Sequence, residues 1–168
     1  MKKLGSMFLC SLVLIFSAWP LAAQKNANPG YEKLKTLVGE WEGKTGDGKP
    51  IQVSYRLVSG GTALLETLRP ADEAEMVTLY APDGARVAVT HYCNAGNQPR
   101  MRTAAIAAAP AKLDFSFVGG TNLAGPSAGH MHHLVVSFDD NDHFTQIWTW
   151  QEKGKDKAET FRFARRTS

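Results

Sequence analysis

The chain has 168 residues, with 19 lysines and arginines against 16 acidic residues and a net charge of +3. No basic stripe of the kind that nucleic-acid binders carry runs through it, and no block of like charge marks a helix lying on a membrane surface. Its size suits one domain with a core of its own.

The first residues set the compartment. Lys2 and Lys3 precede an apolar run from Met7 to Trp19, which Pro20 breaks. Leu21-Ala22-Ala23 then supplies small residues before Gln24. This is the pattern of a secretory signal peptide over residues 1–23, cut after Ala23. The run falls short of the roughly 20 residues that a spanning helix needs; a retained N-terminal anchor is the alternative. Cys10 lies inside the run without a small residue before it, so no lipoprotein signal is read. The expected mature chain is a single domain, residues 24–168, periplasmic or secreted, with no membrane span after cleavage. Loss of Lys2 and Lys3 leaves 17 basic residues against 16 acidic ones. Cys93 is then the lone cysteine, which rules out an intrachain disulfide.

Asn28-Pro29-Gly30 opens a short helix over Tyr31 to Val38. Tyr31, Leu34, Leu37 and Val38 share one helical face, and Gly39 ends it. From there the hydrophobic period drops to two. Ile51, Val53, Tyr55 and Leu57 alternate with polar residues, and Thr62 to Leu68 and Met76 to Tyr80 follow. Val87, Val89, His91 and Cys93 then share a face, as do Leu113, Phe115 and Phe117. Leu134, Val136 and Phe138, then Phe144, Gln146, Trp148 and Trp150, then Phe161 and Phe163, complete the series. Further strands are expected around Trp41 and over Met101 to Ala107. Turn signals such as Gly46-Asp47-Gly48, Pro82-Asp83-Gly84 and Lys153-Gly154-Lys155 separate the runs. Gly119 to Gly129 reads as an irregular loop. The whole predicts an all-β fold: one antiparallel up-and-down barrel of about 8–10 strands with one short N-terminal helix, closed because closure removes exposed edges.

Four residues suggest metal chemistry. Residues two apart on a strand share a face, roughly 7 Å apart along the chain. His91 and Cys93 continue the Val87-Val89 face, and His130 and His132 continue the Leu134-Val136 face. If those faces point inward, three imidazoles and a thiol suit zinc, and one histidine alone could hold haem iron. Structural hydrogen bonding inside a wet barrel is the competing reading. Glu66 shares the Leu64-Leu68 face; an inward carboxylate needs partners, for which Arg56, Arg100 and Arg102 are available. Near a histidine it could do acid–base work; a structural salt link or an outward face is the competing reading. Arg100, with Arg102 and Gln98, could meet a ligand carboxylate, or form a solvated rim. Cys93 lacks a recognisable orienting group and oxyanion site, so no nucleophilic centre is read.

The run Leu37-Val38-Gly39-Glu40-Trp41-Glu42-Gly43, after an amphipathic helix, resembles the Gly-x-Trp opening of lipocalin-like, calycin-type barrels. The segments from His91 to Met101 and from Gly129 to His132 resemble uncharacterised exported bacterial proteins of that type. The resemblance implies a barrel whose Trp41 closes one end and whose Gly39 permits a sharp helix-to-strand turn. Nitrobindin-type haem barrels share the Gly39, Trp41 and Gly43 pattern, but their late haem-ligating histidine has no counterpart, since His143 sits in a turn. Fatty-acid carriers clamp a carboxylate with a C-terminal Arg and Tyr; Arg162 is followed instead by Phe163 and Ala164. The function expected is binding of a small hydrophobic or amphipathic ligand, with Glu66, His91, Arg100, His132, Gln146, Trp148 and Trp150 as ligand residues. The alternatives are a metal- or haem-dependent enzyme or binder, and a structural envelope protein with a filled barrel. Nothing in the sequence fixes the oligomeric state.

Overall fold

The computed structural model describes residues 27–167. The signal-peptide reading and Cys10 lie outside the described residues. One short helix, α1 (Pro29–Lys35), is followed by ten strands: β1 (Gly39–Lys44), β2 (Pro50–Val58), β3 (Ala63–Pro70), β4 (Met76–Asp83) and β5 (Arg86–Tyr92), then β6 (Gln98–Arg102), β7 (Lys112–Thr121), β8 (His130–Phe138), β9 (His143–Glu152) and β10 (Lys155–Arg165). Each strand pairs antiparallel with its neighbours in sequence, and β1 pairs with β10 to close the barrel. The expected meander, its closure and its single helix are thus all present, in the form of a lipocalin-like fold.

The helix is shorter than its apolar face suggested. Asn28 caps it by accepting from Tyr31 N–H at 2.9 Å, while its amide donates to the carbonyls of Gly84 and Arg86 and ties the helix to the β4–β5 turn. The helical backbone stops at Lys35, so Leu37 is buried and Val38 is 41% exposed. Gly39 then takes φ +132°, a conformation that favours glycine, and turns the chain into β1.

The barrel has two unlike ends. At the helix end, the Trp41 indole N–H donates to the Leu37 carbonyl at 2.7 Å, and the ring meets Phe144 edge to face at 4.8 Å. The Arg165 guanidinium lies 4.0 Å from the Trp41 ring centre and donates to the carbonyls of Thr36 and Val38. Phe144 stacks on Phe163 at 4.8 Å, so this half of the interior is filled. The opposite end carries the β1–β2, β3–β4, β5–β6 and β9–β10 turns and opens to solvent.

Two strands differ from expectation. The run from Met101 to Ala107 gives only the end of β6, and residues 103–107 leave the sheet. Strand β7 extends to Thr121, into the stretch read as a loop. Leu57, expected inward, is 44% exposed although it remains paired with Leu64 of β3.

Candidate functional site

A belt of polar side chains crosses the barrel interior. Register places Tyr55 on β2 opposite Glu66 on β3, Glu66 opposite Thr78 on β4, and Thr78 opposite His91 on β5. All four are inward and buried. From the far wall, Gln146 of β9 reaches across. Glu66 Oε2 accepts from the Tyr55 hydroxyl at 2.6 Å, the Tyr80 hydroxyl at 2.8 Å and the Gln146 amide at 2.7 Å. The same amide donates to Tyr55 at 2.8 Å, and the Gln146 carbonyl accepts the Trp148 indole N–H at 3.0 Å.

These contacts decide the electrostatics. Three donors converge on one Glu66 oxygen, while Oε1 has no hydrogen-bond partner. Burial pushes the Glu66 pKa up, and the hydroxyls of Tyr55, Tyr80 and Thr78 and the Gln146 amide pull it back. Burial, then the nearby carboxylate, holds Tyr55 and Tyr80 well above the usual tyrosine value, so both remain donors. The arginines expected as partners of Glu66 are not there; tyrosines and an amide stabilise the group without a cation.

Next to the belt, His91 is 1% exposed. Its Nδ1 lies 2.9 Å from the Thr78 hydroxyl, its ring packs on Trp148 with centres 4.6 Å apart, and its Nε2 has no partner. Burial lowers its pKa to about 4, so the imidazole is neutral at pH 7.

Above His91, at the open end, is a cavity of about 650 Å³. Leu68, Met76, His91, Trp148, Trp150 and Phe161 line its inner part, and Cys93 stands at its edge. Burial raises the Cys93 thiol pKa, which opposes thiolate chemistry. Gly129 lies flat beneath the Trp150 ring, where a side chain would overlap it. Charged residues of the β3–β4 and β9–β10 turns form the mouth. Two other clefts, one along the β1–β10 seam and one beside α1, contain none of the expected ligand residues.

The structure therefore gathers Glu66, His91, Gln146, Trp148 and Trp150 around the belt and the cavity. Arg100 is elsewhere. Met101, at 0% exposure, and Pro99 fix the inward phase of β6, so Arg100 and Arg102 point out, and Arg102 pairs with Asp83 at 3.2 Å. A shared face was read correctly for the two arginines, but it is the outer one, because a one-residue phase decides the side.

The four expected metal ligands separate into two pairs. His91 and Cys93 border the cavity, whereas His130 and His132 pack against Phe117 with ring centres 4.4 and 5.3 Å away. Among the described residues, no group of three His, Cys, Asp or Glu side chains stands close enough to hold a metal ion. The second pair forms a hydrogen-bonded chain. The Ala128 carbonyl can only accept, so His130 donates from Nδ1 at 2.8 Å, and its Nε2 accepts from His132 Nδ1 at 3.1 Å. Burial and the neighbouring His130 lower the His132 pKa. The register shifts between Met131 and His133, leaving His132 as the extra residue of a bulge.

Tyr55, Tyr80, Thr78 and Phe161 are site residues that the sequence reading missed. The signal was available for the tyrosines: an inward Tyr needs a partner for its hydroxyl, and Glu66 shares a face with Leu64 and Leu68.

No family profile matches this chain, and no curated protein matches it. Among solved structures it is similar to a protein of unknown function from the DUF3598 family of Nostoc punctiforme PCC 73102. That likeness has a TM-score of 0.54 at 12% identity and covers 80% of this chain and 49% of that one. The chain thus spans about half the length of that protein, and the likeness is one of fold. A match at TM-score 0.38 and 8% identity is to EF1p2_mFAP2b bound to DFHBI, covering 81% of this chain and 98% of that one. No helix among the described residues is long and apolar enough to cross a membrane.

Proposed function

We propose that this protein is an exported carrier that binds a small apolar or amphipathic molecule in the open end of its barrel. The observation that carries this reading is the cavity of about 650 Å³, walled by Leu68, Met76, Trp148, Trp150 and Phe161. Its volume lies in the range of small-molecule pockets, and its inner wall is apolar, with His91 as a placed polar group beneath a charged mouth. The belt beneath the cavity supports the same reading. A hydrogen-bonded network holds Trp148 from below, so that wall is rigid before any ligand arrives. Export rests on the pattern of residues 1–23.

Native mass spectrometry of protein purified from its own host tests the proposal. We expect a bound species of small-molecule mass, lost on harsher activation, on a polypeptide that begins at Gln24. A clean apo mass under gentle conditions, together with unchanged tryptophan fluorescence across a panel of apolar probes, counts against the carrier reading. A mature N-terminus at Met1 counts against export.

A further inference from the structure

We propose that the ligand of this cavity is an organic cation: an apolar primary or secondary amine, bound in its ammonium form. The inference rests on the carrier reading above and names the chemistry of what is carried. Three features of the site point the same way.

The first is the buried carboxylate. Glu66 accepts three hydrogen bonds on Oε2, from two tyrosines and an amide, an arrangement that fits the ionised form. Its partners are neutral donors, so the ionised form puts a negative charge inside the barrel with no cation beside it. Leu68, two residues along the same strand face and roughly 7 Å away, already lines the cavity. A positive charge in that space meets an attractive field through a low-dielectric wall, and a carboxylate meets a repulsive one.

The second is His91. Thr78 stands between Glu66 and His91 in register and has a single hydroxyl proton. In the tautomer protonated at Nδ1, His91 donates to the Thr78 hydroxyl oxygen at 2.9 Å. His91 Nε2 is then a bare acceptor, buried and unpartnered, in a residue that lines the cavity. Leaving such a group unsatisfied is costly, and a ligand N–H satisfies it where a ligand carboxylate cannot.

The third is the mouth. Glu73, Glu152, Asp156 and Glu159 outnumber the three lysines of the β9–β10 hairpin that line the same opening. Glu159 feels this excess: burial, then the charges of Glu73 and Asp47, raise its pKa. The indoles of Trp148 and Trp150 add faces on which an ammonium group is favoured.

Three probes of one chain length separate charge from apolar burial: decylamine, decanol and decanoate, each below its micellar concentration at pH 7, followed by tryptophan fluorescence and calorimetry. We expect decylamine to bind about tenfold tighter than decanoate, with decanol between them. Glu66→Gln is expected to shrink the gap, and Glu159→Gln, at the exposed mouth, to shrink it by about twofold with an unchanged circular dichroism spectrum. The mouth variant gives the answer if Glu66→Gln does not fold. Decanoate binding as tightly as decylamine, or decanol matching it, overturns the cation assignment and leaves the carrier reading standing. Failure of all three probes to bind overturns both.

Discussion

His91 makes a stability difference that pH can read out. Its imidazole titrates near pH 6.5 in the unfolded chain and near pH 4 in the folded one, because burial disfavours the charged form. Between those values the unfolded state holds the extra proton, so stability rises with pH. The contribution is complete above about pH 6.5 and is lost as pH falls to 4. At about 1.4 kcal/mol per pH unit, the downward shift corresponds to about 3 kcal/mol over this window. Glu66 acts in the opposite sense. Its folded pKa lies above the usual carboxylate value, so its ionisation lowers stability as pH rises. A paired measurement removes that contribution. His91→Asn keeps a polar atom for Thr78 and cannot titrate, while Glu66 is common to both proteins. Urea unfolding followed by circular dichroism at intervals from pH 7 to pH 4 gives the two curves. His91→Asn starts lower, since it leaves a void beside Trp148. We expect the difference between the curves to narrow by about 3 kcal/mol on acidification. Parallel curves, with the gap unchanged at pH 4, refute the argument that the imidazole is held neutral by burial.

Two further substitutions probe the belt and the seam. Tyr80→Phe removes one of the three donors to the Glu66 carboxylate and is expected to cost about 1.5–3 kcal/mol in urea unfolding at pH 7, with a further rise of the Glu66 pKa by carbon NMR. An unchanged pKa shows that the hydroxyl does not stabilise the charge. Gly43→Ala places a methyl group against the Arg162 carbonyl, where β1 and β10 close the barrel. We expect a loss of more than about 2 kcal/mol and faster exchange of amide protons along β1, because the overlap is with backbone that has no rotamer to yield. Uniform exchange across the barrel argues that the seam is no weaker than its neighbours.

The sequence made much of this molecule legible. Two-residue alternation located the strands because a strand buried on one face must repeat with that period. Gly39 and Trp41 marked the turn from helix to barrel, and Glu66 on the Leu64-Leu68 face offered a polar group to the interior. Periodicity carries no information about level, phase offset or volume, and those were set elsewhere. Arg100 was misplaced because two arginines in alternation look the same from either side, and only the burial of Met101 picks the inner one. His132 sits at a bulge, which an alternation argument passes over. Gln146 meets Glu66 across 80 positions of chain, a contact that exists only once closure brings opposite walls to a common height. Whether the middle is solid or hollow was likewise a matter of three dimensions. Trp41, Phe144 and Phe163 fill the half beneath the helix, whereas Trp148 and Trp150 stand along the wall of the other half and leave space between them and β3 to β5. The chain alone dictated a barrel with inward aromatic and polar groups; the stagger of its strands decided which of them meet and where room remains.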